Sequence, residues 1–399
     1  MNPWRVLKGL PKEVWLICVA TLINRMGTMA LPFLVLYLTR SVGLTVGRAS
    51  FAIMVYGAGA LVTAPLAGKL SDSVGALRVM KTSLFISGVL LMLFPLAKSY
   101  SALLSLIALW AITSEAFRPA AMAIISEVAA PDQRRSAFAL NRLAINLGMS
   151  IGPAAGGLLA SISFPALFIV DGATSLVAAV LLVAMRIKPV SHITANDAAQ
   201  SNVANHKHSR WGALADPKLL YFLAAMLLVE AVFFQNEAAV PLFLVRDLQI
   251  SESLYGLLFT INTLLITLIE VPLNGAMAGW SHNRAMSLGV LLFGIGFGTF
   301  FFVSGFASAA LAVAIWTFGE MILFPTASAY VADISPSNRR GEYMGLYTMG
   351  FSVAFTIAPW LGAQLYERAG GRVLWAVVFI LGCVSAIMML SVKHRDENR

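Results

Sequence analysis

Charge is scarce in this chain. Asp, Glu, Lys and Arg make up 12% of its 399 residues, where a soluble globular chain carries about 25%. Histidine and cysteine are scarcer still, with 5 and 2 copies. The two cysteines, Cys18 and Cys383, sit in apolar runs far apart in sequence. They support neither a disulfide framework nor a metal-ligand spacing, and read as small apolar residues. His206 and His208 are too isolated to count as a metal site. There is no P-loop, which excludes a primary pump within this chain, and no Gly-rich nucleotide loop or soluble catalytic stretch. An enzyme or a receptor-like sensor finds no support here, and no cofactor is expected beyond a proton gradient.

Apolar residues are abundant: 59% of the chain is hydrophobic. About 20 apolar residues in helical form cross a bilayer, and twelve such runs occur. They cover residues 13–38, 48–70, 79–98, 101–126, 137–160 and 163–187, then 219–244, 254–278, 285–306, 308–332, 342–363 and 372–391. The first run follows the basic stretch MNPWRVLKGLPKEVW. It is too long for a signal-peptide core and lacks a closing cleavage site, so it reads as a membrane helix. One polar stretch, residues 188–218, separates a six-helix bundle at 1–187 from another at 219–399. The expected fold class is an all-α membrane protein.

The net charge of +9 raises the question of nucleic acid, but the placement of the charge answers it. The loops on the side of the termini and linker hold most of the Lys and Arg. The opposite loops hold only Arg40, Arg48, Lys98, Arg246, Arg368 and Arg372, and two more, Arg25 and Arg118, lie inside helices. By the positive-inside rule both termini are cytoplasmic, and no nucleic-acid partner is needed to explain the basicity. The bilayer itself is the expected partner.

The halves repeat. At one constant offset Trp110 meets Trp316, Pro119 meets Pro325, Arg134 meets Arg340, Pro153 meets Pro359 and Gly156 meets Gly362, with Glu127 opposite Asp333. A slightly shifted offset pairs ALPFLV (30–35) with AVPLFL (239–244), and Pro65 and Gly68 with Pro272 and Gly275. Two parallel six-helix repeats are an architecture of secondary transporters.

Two motifs give the chain a family resemblance. GKLSDSVGALRVMK, between the second and third helices, resembles the inner-loop motif of the major facilitator superfamily through Gly68, Leu70, Asp72, Gly75 and Arg78. It departs from that pattern at Ser73, Ala76 and Leu77, where basic residues are usual, and the second-half copy carries Gly279 in place of the Asp. GMSIGPAAGG in the fifth helix resembles the superfamily's antiporter motif through Gly148, Gly152, Pro153, Gly156 and Gly157. The resemblance implies the twelve-helix fold, alternating access, and a central cavity lined by helices 1, 4, 7 and 10. The fifth-helix motif implies proton-coupled export rather than uptake. The inner-loop glycines suit a tight turn, and Asp72 is expected near the N-terminus of helix 11, latching the halves. Gly148, Gly152 and Gly156 share one helix face, which lets a neighbouring helix come close, and Pro153 bends the helix.

Ionisable residues within membrane spans default to functional hypotheses. Arg25 lies near mid-depth in the first helix with Asn24 beside it, and helix 4 carries Glu115 and Arg118 three apart, hence on one face. Helix 7 carries Glu230 and Glu237, and helix 10 carries Glu320. These seven are the expected substrate- and proton-binding residues, with Glu115 paired to Arg25 or Arg118. The alternative for each carboxylate is a fixed ion pair between helices. Asp171 reads as a packing or outer-rim residue. Glu127, Arg134, Asp333 and Arg340 form an expected inner charge network, and Phe233 and Phe234 are candidates to line an amphipathic pocket. The expected protein is a monomer in a bacterial cytoplasmic (inner) membrane, exporting a small amphipathic organic compound (a drug, siderophore or metabolite) by proton antiport. The alternative is a proton-coupled uptake symporter or facilitator for a sugar, peptide or organic anion.

Overall fold

A computed structural model describes residues 9–184 and 212–392, except 131–132, 278 and 337–338; the side chains of 64, 65, 68, 69, 72, 134, 135, 340 and 341 also lie outside the description. Twelve helices are long and apolar enough to cross a bilayer. The first half consists of α1 (Lys12–Ser41), α2 (Val46–Val74), α3 (Ala76–Leu96), α4 (Tyr100–Val128), α5 (Arg134–Ile162) and α6 (Phe164–Ala184). The second consists of α7 (Pro217–Glu237), α8 (Glu252–Ala276), α9 (His282–Phe301), α10 (Phe306–Ile334), α11 (Arg340–Ala369) and α12 (Gly371–Leu390). Leu268, Val271, Ile162, Val180 and Phe302 are left exposed on the outside of the bundle. Such a surface suits hydrocarbon and not water. Most of the linker at 188–218 lies outside the described residues. Its last part forms a 3-10 turn at Gly212–Ala215, followed by Asp216 capping α7.

Prolines explain where the helices break. A proline lacks an N–H and its ring clashes with the carbonyl four residues back. In α1 the α-helix stops at Met26 and restarts at Ala30, just before Pro32, then ends in a π-type turn at Tyr37–Ser41. In α7 it stops at Phe233 and passes through a 3-10 turn, Phe234–Glu237. Ala239–Pro241 and a π-type turn at Leu242–Asp247 follow. The repeated ALPFLV and AVPLFL segments thus produce the same break twice. In α4 Pro119 opposes the Glu115 carbonyl, and the helix divides into Tyr100–Glu115 and Phe117–Val128. Its counterpart Pro325 leaves α10 continuous, because Asn274 of α8 donates to the freed Met321 carbonyl at 3.1 Å.

The halves meet along α5 with α8 and α2 with α11. Gly157 faces the Glu252 carbonyl, and Gly256 faces that of Pro153; a Cβ at either position would lie 2.3 Å from the opposing oxygen. Towards the end away from the termini, Arg40 of α1 bridges to the second half. It pairs with Glu252 at 2.6 Å and donates to the Val245 carbonyl at 2.7 Å. Glu252 occupies the first turn of α8, where negative charge is favoured by the helix dipole. Phe33 packs edge-on against Tyr255, with ring centres 5.3 Å apart. The end away from the termini is therefore closed. Arg40→Ala is expected to loosen it, seen as faster backbone hydrogen exchange across residues 242–256 with the inner helices unchanged. Unaltered exchange there would show that the apolar seam alone holds this end.

Candidate functional site

Asp171 organises the first half. Its carboxylate accepts the backbone N–H groups of Met29 (3.1 Å) and Ala30 (2.8 Å), the donors exposed where α1 restarts. It is buried, not on an outer rim; in a bilayer no water would replace it. Asn24, on the other side of the break, donates to Ser175 at 3.3 Å. Across the break lies the glycine face of α5. A Cβ on Gly148 would stand 2.4 Å from the Arg25 Cβ; one on Gly152 would stand 2.8 Å from the Arg25 carbonyl and 3.0 Å from that of Met26; one on Gly156 would stand 2.9 Å from the Met29 Cβ. The helix that approaches this motif is α1, at its break. Gly157 serves the contact between halves instead.

Asn24, Arg25, Tyr56, Glu115, Asp171 and Ser175 line a polar cavity of about 80 Å³ within the first half. The Tyr56 hydroxyl donates to Glu115 at 2.9 Å. The expected ion pair of Glu115 with Arg25 or Arg118 is not formed: among the described residues neither arginine has an ion-pair partner. The reason is the break at Ala116. It ends the common face of Glu115 and Arg118, so Glu115 lines this cavity while Arg118 lines a second one of about 250 Å³ towards the termini. Arg25 and Phe117 border both. Arg142, eight residues into α5, also lines the second cavity and forms an ion pair with Glu270 of α8 across the halves.

The second-half carboxylates stand apart from this group. Glu320 accepts from Asn262 at 3.0 Å, and Asn262 also contacts Thr317 at 2.9 Å. Glu230 is 1% exposed, and among the described residues neither of its oxygens has a hydrogen-bond partner. Its Oε2 points towards Gly350 of α11, with Tyr347 nearby. Glu237 sits in the 3-10 turn of α7, in the electrostatic neighbourhood of Tyr255. The seven expected residues therefore do not converge on one enclosed chamber. Phe233 and Phe234 pack into aromatic surroundings: Phe234 is buried against Phe351 and Phe355, and half-buried Phe233 lies against Phe293, Trp316 and Phe324.

The inner-loop motif is mostly helical. Gly68 and Asp72 fall in the last turns of α2, and only Gly75, at φ +92°, makes the turn, with exposed Arg78 opening α3. The Asp72 latch lies outside the described side chains. So do Arg134 and Arg340 of the inner network. Glu127 is exposed, and Asp333 lies 3.6 Å from His282. The sequence reading missed Tyr56, Asn262, the capping role of Asp171, and the crossing pairs Arg40–Glu252 and Arg142–Glu270. Arg142 and Glu270 each lie inside an apolar run, which is the signal that marks them; Arg40 and Glu252 carry no signal apart from their charge.

Two repeated six-helix bundles with buried charge around broken helices define a secondary transporter. The chain belongs to the Major Facilitator Superfamily, whose profile matches residues 17–243 and 236–399. It is 26% identical to the uncharacterized MFS-type transporter YqjV of Bacillus subtilis (strain 168), over 100% of this chain and 99% of that one. It is 24% identical to a Na(+), Li(+), K(+)/H(+) antiporter of Planococcus maritimus, covering 83% and 84%. The fold superposes on the crystal structure of a peptide transporter, POT, in complex with sulfate. The TM-score is 0.79, the identity 16%, and the coverage 96% of this chain and 95% of that one. The protein is an integral membrane transporter that moves a small molecule, not an enzyme.

Asp171→Ala leaves two backbone N–H groups without their acceptor. Each is expected to cost about 1–3 kcal/mol, read as a lowered unfolding midpoint of the detergent-solubilised protein. Asp171→Asn, which keeps one acceptor oxygen, should lose less.

Proposed function

We propose that this transporter exports a small amphipathic organic compound in exchange for protons by alternating access. Glu230 is the observation that carries the reading. An ionised carboxylate with no hydrogen bond and no cationic partner is costly in a low-dielectric interior, and proton binding removes that cost. Movement of α7 against α11 as the halves part re-solvates the group and releases the proton to the side then open. Glu320, held by Asn262, and Glu115, held by Tyr56, are further proton-binding candidates that differ from Glu230 in having partners already. Arg25, Asn24, Arg118 and Glu237 are assigned to substrate binding around these groups.

Export rather than uptake rests on the fifth-helix motif and its seating on α1, and on the relative named as an H+ antiporter. An alkali-metal cation is a poor substrate for a site bordered by Arg25 and Arg118. The chain acts as a monomer in a bacterial cytoplasmic membrane with both termini inside, and the proton gradient is its energy source.

The test is flux in everted membrane vesicles acidified inside, across a panel of lipophilic cations, organic anions and siderophores. The wild type should accumulate at least one compound only while the gradient lasts. Glu230→Gln should abolish gradient-driven accumulation yet keep gradient-free exchange of labelled for unlabelled compound. Glu115→Gln tests the first-half site in the same way. Accumulation only into right-side-out vesicles would establish uptake instead, and flux indifferent to the gradient would remove proton coupling.

A further inference from the structure

The second cavity deserves a ligand of one charge. It lies between α1, α4 and α5, inward of Arg25. Thr21, Arg25, Phe117, Arg118, Asn141 and Arg142 line it, with Met122 and Phe138 adding apolar wall. Three arginines line it, and among the described residues no Asp or Glu does. The nearby acids are turned elsewhere. Glu115 lies in the neighbouring cavity with Tyr56 bound to it, and Glu270 reaches only Arg142, from the other half. Arg118 has no ion pair among the described residues and is exposed.

The wall is also short of hydrogen-bond partners. Thr21 Oγ1, Arg25 Nε and Asn141 Oδ1 are all buried and unpaired among the described residues, with Thr21 only 1% and Asn141 only 3% exposed. Unpaired buried polar groups are rare in folded proteins and ask for an explanation. Here the three residues that carry them line one cavity. The threonine hydroxyl and the Arg25 Nε–H are donors, and the Asn141 amide, which makes no hydrogen bond among the described residues, supplies an NH2 in either flip state.

We propose that this cavity binds the anionic group of a small organic anion, a carboxylate, sulfonate or phosphate ester, with Phe117, Met122 and Phe138 holding its apolar part. The proposal rests on the transport reading above and specifies its substrate class. Planar, bidentate guanidinium groups match such oxyanions. The volume of about 250 Å³ accommodates a single-ring acid. An arriving anion competes with Glu270 for Arg142, whose side chain is 63% exposed, and so weakens the link between α5 and α8. Substrate binding thereby favours separation of the halves on the inner side.

The test compares benzoate, phenyl phosphate and 2-naphthalenesulfonate with benzylamine, which carries a single ring and the opposite charge, as ligands of the purified full chain in detergent. The readout is the thermal unfolding midpoint titrated with each. At least one anion should stabilise the protein where benzylamine does not. Arg118→Gln, at an exposed position, should weaken that anion at least about tenfold, which is about 1.4 kcal/mol. Arg118→Lys should restore part of the effect, and Thr21→Val should weaken binding without removing a charge. Arg48→Gln, on the far side of the protein, is the control. Stabilisation by benzylamine equal to that by the anions, no anion-specific shift at all, or anion binding untouched by both Arg118→Gln and Thr21→Val would overturn the site. The two proposals fail separately. Anion binding without gradient-driven flux overturns proton-coupled export and leaves the site. Gradient-driven flux without any anion preference does the reverse.

Discussion

The carboxylate of Asp171 accepting two backbone N–H groups is the contact on which the first half depends. A helix that breaks inside a bilayer exposes donors and acceptors that water cannot reach. Pro32 imposes the break, and Asp171 from α6 makes it tolerable. With the break in place, the chain around Arg25 leaves regular helix and its carbonyls turn towards α5. Only glycine lets α5 come close enough to cover them, so the spacing of Gly148, Gly152 and Gly156 is matched to a defect in α1 and not to a smooth helix. Arg25, held at this junction, divides the interior of the half into an acidic polar chamber and a basic vestibule.

The second half repeats the backbone of the first and not its chemistry. The α7 break precedes Pro241 as the α1 break precedes Pro32, but here the amide of Gln235, inside the break, donates to the Ala231 carbonyl of α7 at 2.9 Å and to the Ala358 carbonyl of α11 at 3.1 Å. At the position matching Arg25 stands Phe234, packed into an aromatic cluster. Duplication thus supplied two mechanically similar halves, and substitution set basic residues around the cavities of one while burying a bare carboxylate, Glu230, in the other. The seam between the halves is apolar and glycine-lined, and among the described residues two charged pairs cross it: Arg40–Glu252 at the end away from the termini and Arg142–Glu270 nearer the termini.

The twelve spans, their pairing into repeats and the family were all legible in the sequence, because each rests on a local or periodic property: apolar length, charge between the runs, and proline and glycine at a constant offset. The fate of single charges was not. Glu115 and Arg118 are three apart, and helical geometry places them together, but Pro119 ends the helix between them. The expected partner of Glu115 was an arginine; the actual one is Tyr56, a residue without charge in a run without other signals. Glu230 and Glu320 look alike in sequence, and only the neighbouring helices show that one has Asn262 as donor and the other has none.

By itself, then, the sequence determined that this chain crosses a membrane twelve times as two related bundles and belongs to a transporter family, since burial of apolar length and satisfaction of backbone hydrogen bonds in lipid leave little choice. Tertiary structure alone decided which charges share a cavity, which are neutralised and which are left bare. Those outcomes depend on contacts a few ångströms long between segments more than a hundred residues apart, where a single proline or a missing side chain redirects the group that chemistry uses.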